Sequence, residues 1–339
     1  MALGDILIFA VNSVMPIILL VLLGYLLKQK GLFTKEFLKI GNKTVFRVLL
    51  PVLLFTNLAE MDSFLDLRLD AVLYVMGAIA VLFGAGLLLS CTVPERRQKG
   101  VILQCVFRSN FALIGVALAQ LIAGDKGVQA AALLSAFTIP VFNILGVVAL
   151  SIFAPTDTQS AAPGQRIRKI LRDILHNPLI LGVLAGILWV CLKPLFFRVP
   201  VMAVCMEKLS FVGVSLDYLA RASTPVALLV LGGQFEMDRV KGLKRQITLG
   251  VLGRLLLAPV VGIGGAVLLQ SIGMLHFDNG IYAALIALFA TPVAVASAIM
   301  AEEMDNDGQL AGQLVLWTTL FSALVMFVVI AFLRSLHLL

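Results

Sequence analysis

Arg108, Ser109 and Asn110 set a cation, a hydroxyl and an amide side by side in VILQCVFRSNFALIGVALA, a run that is otherwise largely apolar. Residues of these types can hold a carboxylate. The guanidinium supplies charge and forked donors, and the amide adds further N–H groups. A cation at membrane depth is costly unless it is paired or faces water. Arg108 therefore marks an anion site, a structural ion pair or a side chain reaching for the interface. Asn143 follows Pro140 by three residues on about the same helix face, so a kink and an amide could share one pathway. Asn57, Thr291, Thr318 and Thr319 are further candidates, although hydroxyls on helices often bond their own backbone. Asn110 and Asn143 have a similar alternative as bridges between helices.

Other charged or reactive residues carry less. Asp217 and Arg221 stand one helical turn apart and are expected to pair with each other. Glu302 to Asp307 (EEMDND) could suit a hard cation, but the expectation is a solvated loop. Arg47 and Arg254 lie toward the ends of apolar runs and read as interfacial anchors. Cys91, Cys105, Cys191 and Cys205 lack metal-ligand spacing and read as packing residues. No metal or other cofactor is expected. The histidines (His176, His276, His337) lie at the ends of apolar runs, away from Ser109 and Ser297, which argues against a hydrolase. The chain has no phosphate-binding loop of the Gly-x-x-x-x-Gly-Lys-Ser/Thr type, so it cannot by itself drive transport with a nucleotide.

The elements that must position these groups follow from composition. With 60% hydrophobic and 13% charged residues, 339 residues hold more apolar side chain than one soluble core can cover. Lipid covers the remainder, and long apolar runs make the spanning elements helices. Windows of membrane length predict spans over 7–28, 38–59, 71–92, 100–123 and 128–153, then 175–192, 210–233, 246–270, 281–301 and 309–334. The basic, polar stretch 154–173 joins a first half, 1–153, to a second, 174–339. Asp5 and no basic residue precede the first run, which is too long for a secretory signal and reads as a retained span. The net charge of +7 is dispersed over short loops, which suits membrane orientation and not nucleic acid. Lys and Arg concentrate in loops 1–2, 3–4, 5–6 and 7–8, which places those loops in the cytoplasm and both termini outside the plasma membrane. The cation-free loop 9–10 runs against this scheme.

An internal repeat links the halves. Pro16 to Gly24 in span 1 matches Pro178 to Gly186 in span 6, with identical spacing. Arg47 precedes Pro51 in span 2 as Arg221 precedes Pro225 in span 7. Phe107 to Asn110 in span 4 falls opposite Phe289 to Pro292 in span 9. A repeat of five helices crosses an odd number of times, so the second copy must enter inverted. Such folds place the site at the midplane, where one helix in each half is interrupted. Gly115 and Asn110 in span 4, and Pro292 in span 9, are the expected points of interruption, with Pro51, Pro140 and Pro225 as further expected helix breaks. Gly182 and Gly186 permit close helix packing within the chain or, alternatively, at a dimer interface.

Several segments resemble the auxin efflux carrier family of bacterial permeases, which includes malonate and other organic-acid permeases and has the plant PIN carriers as relatives. The resemblance is carried by VFRVLLPVLLFTNLA (45–59), FRSNFALIGVALA (107–119) and IPVFNILGVVAL (139–150). In the second half it is carried by HNPLILGVLAGIL (176–188), STPVALLVLGGQF (223–235), FATPVAVASAIMAEE (289–303) and LWTTLFSALV (316–325). The chain departs from the family's Gly-Leu-Pro-Leu pattern, having Gly115-Val116-Ala117-Leu118, so Gly115 stands where the break is otherwise helped by proline. The resemblance implies an all-α membrane protein of ten helices in two inverted halves, set in a bacterial inner membrane, with a fold like that of the bile acid:sodium symporters. It implies spans 4 and 9 crossing as broken helices beside the substrate, and Asn110 facing it. The expected function is a permease for small organic anions working by alternating access, with an anion channel or a non-transporting sensor subunit as alternatives. Expected partners are the anion, the lipid bilayer, a coupling proton or sodium ion, and a second copy of the chain in a homodimer.

Overall fold

The computed structural model describes residues 3–59, 68–154, 172, 175–198, 210–236 and 242–339. Most of the stretch expected to join the halves, together with Cys205, lies outside the described residues. Among the described residues every regular element is a helix. In chain order these are α1 (Leu3–Gln29), α2 (Lys35–Thr44), α3 (Leu50–Ala59), α4 (Leu69–Cys91), α5 (Arg96–Phe107), α6 (Phe111–Phe153) and α7 (Pro178–Arg198). They continue with α8 (Ser210–Gln234), α9 (Lys244–Leu252), α10 (Gly265–Ser271), α11 (Asn279–Phe289), α12 (Ala296–Glu303) and α13 (Gly308–Ser335).

Among the described residues, five helical stretches are long and apolar enough to cross a membrane: Leu69–Cys91, Phe111–Phe153, Ser210–Gln234, Lys244–Ser271 and Gly308–Ser335. Shorter apolar helices add Met15–Gln29, Pro178–Lys193 and Asn279–Phe289. The protein is therefore a multi-pass helical membrane protein. Asn279–Phe289 is short because its helix is interrupted at Ala290.

Local chemistry sets the helix ends. The Thr34 hydroxyl accepts from Phe37 N (3.1 Å), Asp278 from Ile281 N (3.0 Å) and Asp307 from Leu310 N (2.9 Å), each capping the helix that follows. Pro51 has no N–H for the Arg47 carbonyl four residues back, and the chain just before it widens into a π-turn, Val45–Leu49. Two more π-turns, Gly253–Leu257 and Val260–Gly264, flank Pro259. The Tyr74 hydroxyl donates to carbonyls of the second, Val261 O (3.1 Å) and Gly262 O (2.9 Å).

Several expectations are corrected here. Span 4 is interrupted, and earlier than Gly115. It ends as α5 at Phe107 and restarts as α6 at Phe111, which runs into span 5 across a sharp turn at Ala123 and Gly124. Gly115 is not at the interruption. It lies one turn inside α6, where a side chain would strike the Phe111 ring. The helices run on through Pro140 and Pro225. The EEMDND stretch is not simply solvated: Asn306 is buried, Asp307 accepts from Gln98 (3.0 Å) and Glu303 from Asn42 (2.8 Å).

Helix packing uses the repeated glycines. A Cβ at Gly24 of α1 would collide with the Leu229 carbonyl oxygen of α8, and one at Gly232 of α8 with the Val21 carbonyl oxygen of α1. A Cβ at Gly182 of α7 would come within 2.6 Å of the Pro51 carbonyl oxygen, and one at Gly186 within 2.8 Å of Leu58. Backbones thus meet directly between α1 and α8 and between α7 and α3. The two half-length helices pack elsewhere, α11 mainly against α6, and α5 against α4 and α6. Every residue of α11 from Gly280 to Phe289 is buried, as is α5 from Gly100 onward, in keeping with their apolar character on all faces.

Candidate functional site

The two interruptions meet. Arg108, Ser109 and Asn110 leave the helix, and so does the stretch from Ala290 to Val295. Ser109 and Val293 form an antiparallel bridge, and Asn110 N donates to Pro292 O at 2.9 Å. The pairing answers a strict requirement, since non-helical backbone inside a bilayer must bond within the protein. Pro292 contributes by having no N–H to satisfy and a carbonyl free to accept. Thr318 of α13 supports the same crossing from behind: its hydroxyl accepts from Val293 N (3.2 Å) and donates to Leu314 O (2.6 Å).

Beside the crossing lies a cavity of about 110 Å³. Its polar lining is Asn57, Arg108, Ser109, Asn110, Asn143 and Thr224, and the backbone of Ala294 to Ala296 closes one side. Asn110 and Val295 sit at the starts of α6 and α12. The first N–H groups of both helices therefore point their positive dipole ends toward this region.

Arg108 is 4% exposed. Its Nη2 donates to Asn143 Oδ1 at 2.7 Å, and its Nη1 to the Met300 sulfur. Both partners are neutral, and among the described residues no carboxylate lies within ion-pair distance of it. Asn143 is committed as well, because its Nδ2 donates to Ile139 O (2.8 Å) while its oxygen holds the guanidinium. Gly146 makes room, since a Cβ there would lie 2.7 Å from Arg108 Nη1. Asn110 Nδ2 and Ser109 Oγ are buried with no hydrogen-bond partner. Such groups normally find one.

The structure thus brings together Asn57, Arg108, Ser109, Asn110 and Asn143 around one cavity. Thr291 and Thr318 are fully buried away from it and bond backbone carbonyls. Pro51, Pro140 and Pro225 are in helices and outside the crossing. Thr224 and Met300 escape the sequence reading. Thr224 stands next to Pro225 in a quoted motif and could have been found there, whereas Met300 carries no signal. Arg254 is a correction: it is not an anchor but a fully buried side chain behind the crossing. A second cavity of about 570 Å³ shares Leu53, Asn57, Leu113 and Thr224 with the first and reaches Asn12, Asp217 and Arg221. Asp217 and Arg221 pair at 2.8 Å, as their spacing suggests.

A multi-pass helical protein that opens two of its helices against each other beside a buried cavity with polar groups in its wall is a membrane transport protein in class. Residues 9–330 match the membrane transport protein family, and the chain belongs to it, the auxin efflux carrier family of the motifs above. The chain is 26% identical to an uncharacterized transporter of Methanothermobacter thermautotrophicus over 92% of its own length and 94% of the relative's. It is 24% identical to an uncharacterized transporter of Methanocaldococcus jannaschii, covering 93% and 96% of the two chains. A Rhizobium meliloti protein whose name proposes malonate transport is 27% identical over 75% of this chain and 77% of its own.

Proposed function

We propose that the protein is a secondary transporter of small organic anions, malonate and related carboxylates, which it moves across the plasma membrane by alternating access. One observation carries the reading. Arg108 is a buried cation whose partners are all neutral, at a cavity where Asn110 offers an unused amide N–H. An uncompensated charge in a low-dielectric interior calls for a counter-ion, and a carboxylate supplies one while accepting from both groups. The starts of α6 and α12 add favourable dipoles. The cavity size suits a small anion, and the name of the Rhizobium relative agrees with the substrate class.

The architecture in this proposal is ten spans in two inverted five-helix repeats, with both termini outside. The packing supports it. Gly24 of span 1 meets Leu229 of span 7, and the matching Gly186 of span 6 meets Leu58 of span 2. Asn143 of span 5 holds Arg108 at one interruption, and Thr318 of span 10 holds Val293 at the other. Each contact has a partner with the repeats exchanged. Two distinct cavities sharing a wall also fit a carrier better than a continuous pore.

Uptake of labelled malonate into proteoliposomes should saturate and should be competed by related acids. Asn110→Ala should lower the rate by about tenfold with unchanged folding, the scale of one lost hydrogen bond to a charged group. Uptake that never saturates would turn the reading to a channel, and undiminished uptake by the variant would remove Asn110 from the site.

A further inference from the structure

The carbonyl groups exposed by the two interruptions converge on one side chain. Arg254 lies in the π-turn Gly253–Leu257 and is 0% exposed. Its Nε donates to Thr291 O (2.9 Å) and its Nη2 to Leu288 O (2.8 Å), both at the end of α11. Its Nη1 donates to Phe107 O (3.3 Å) and Val106 O (3.4 Å), at the end of α5. Among the described residues it has no carboxylate partner. One guanidinium therefore spans the C-terminal ends of both interrupted helices.

The charges match. A helix end carries roughly half a negative charge, so two ends facing one point present about one unit, and Arg254 brings one positive charge. In transporters with interrupted helices, freed carbonyls and half-helix C-terminal ends are what coordinate a coupling cation. Here a covalently attached cation already occupies such a cradle. On the opposite side of the crossing, the helix starts and Arg108 face the cavity, so the anion end and the cation end are separate.

We propose that Arg254 is a tethered cation that takes the place of a mobile coupling ion at this crossing, so that transport by this protein does not need sodium. The proposal rests on the carrier reading above for its transport half only. Arg254 acts through the backbone it holds and is a positioning residue. The broad π-turns around Pro259 place it: they move the Arg254 side chain off the regular helical path, toward α5 and α11.

The test has two arms. In the first, purified wild type, Arg254→Ala and Arg254→Met are melted with and without low millimolar guanidinium chloride, with sodium chloride as control. Both variants should melt below wild type, and guanidinium should restore Arg254→Ala while leaving wild type unchanged. An Arg254→Met protein that melts and transports like wild type overturns the proposal. In the second arm, malonate uptake is measured with sodium replaced by choline. Wild type and Arg254→Lys should keep their rates, and Arg254→Ala should fall by about tenfold or more, as expected for several buried carbonyls losing their donor, and recover with guanidinium. Loss of wild-type uptake without sodium overturns it. Should Arg254→Ala fail to fold, the choline comparison on wild type and Arg254→Lys decides. If wild type moves no acid in either salt, the transport reading fails, while the melting arm still reports on the cradle.

Discussion

Arg108→Met is expected to lower the initial rate of malonate uptake by about a hundredfold or more while the purified protein still folds. The two halves of that expectation come from the same geometry. A hydrogen bond to a charged group contributes about 1.5–3 kcal/mol, and a fork of two to one carboxylate therefore about 3–6 kcal/mol. At about 1.4 kcal/mol per factor of ten, that is a hundredfold or more in the binding on which transport depends. Folding is spared because Arg108 has no carboxylate partner to be stranded by its loss; only Asn143 Oδ1 and the Met300 sulfur give up a donor. Methionine refills much of the volume and removes a buried charge, which by itself is neutral or stabilising. Arg108→Lys keeps the charge but not the fork, and should fall between the two. The measurement is labelled uptake beside a melting curve for each protein. Uptake by Arg108→Met equal to wild type would make the guanidinium a structural bridge between α5, α6 and α12, and the anion would have to be held elsewhere.

The interruption in span 4 is legible in the chain because three consecutive polar side chains inside hydrocarbon have few inexpensive explanations. Its counterpart in span 9 is legible through Pro292, which withdraws a donor. What the residues do not reveal is where each polar group points. Asn110 and Thr318 are both site candidates from sequence, yet Asn110 lines the cavity and Thr318 braces the crossing from behind. Helix rotation decides between them, and rotation is set by neighbours such as Gly24 and Gly186, whose partners lie far along the chain. Arg254 shows the same gap more sharply. An arginine near the end of an apolar run looks like an anchor whether it snorkels or not, and its burial depends on α5 and α11 arriving from elsewhere. Gly115 misleads for a local reason. A glycine in a helix is as readily a packing notch as a break, and here Phe111 folds across it. The boundary between spans 4 and 5 is legible by contrast: the chain turns at Ala123 and Gly124, Gly124 with a positive φ, where the apolar window over 100–123 ends.

Gly24→Val should lower the melting temperature of the purified protein by about 3–4 °C, the consequence of overpacking by roughly 2–3 kcal/mol. At this position the obstacle is backbone. The new side chain would meet the Leu229 carbonyl oxygen, which cannot swing aside as a side-chain tip can, so α1 must separate from α8. Separation also uncovers Gly232, whose own notch faces Val21, and the loss spreads along the helix pair. Gly84→Ala is the control, because nothing lies within 4 Å of a Cβ there, and it should melt as wild type. Gly186→Val presses on α3 in the same way through a side chain, its Cβ 2.8 Å from the Leu58 Cβ, which is fixed to the backbone. If the halves are inverted copies built on one contact, both valine variants should lose stability by comparable amounts. A normal melting curve for Gly24→Val would show that α1 and α8 can part without cost. A large loss in one variant with none in the other would count against the repeat and leave the matched Pro16-to-Gly24 and Pro178-to-Gly186 spacings without a shared structural role.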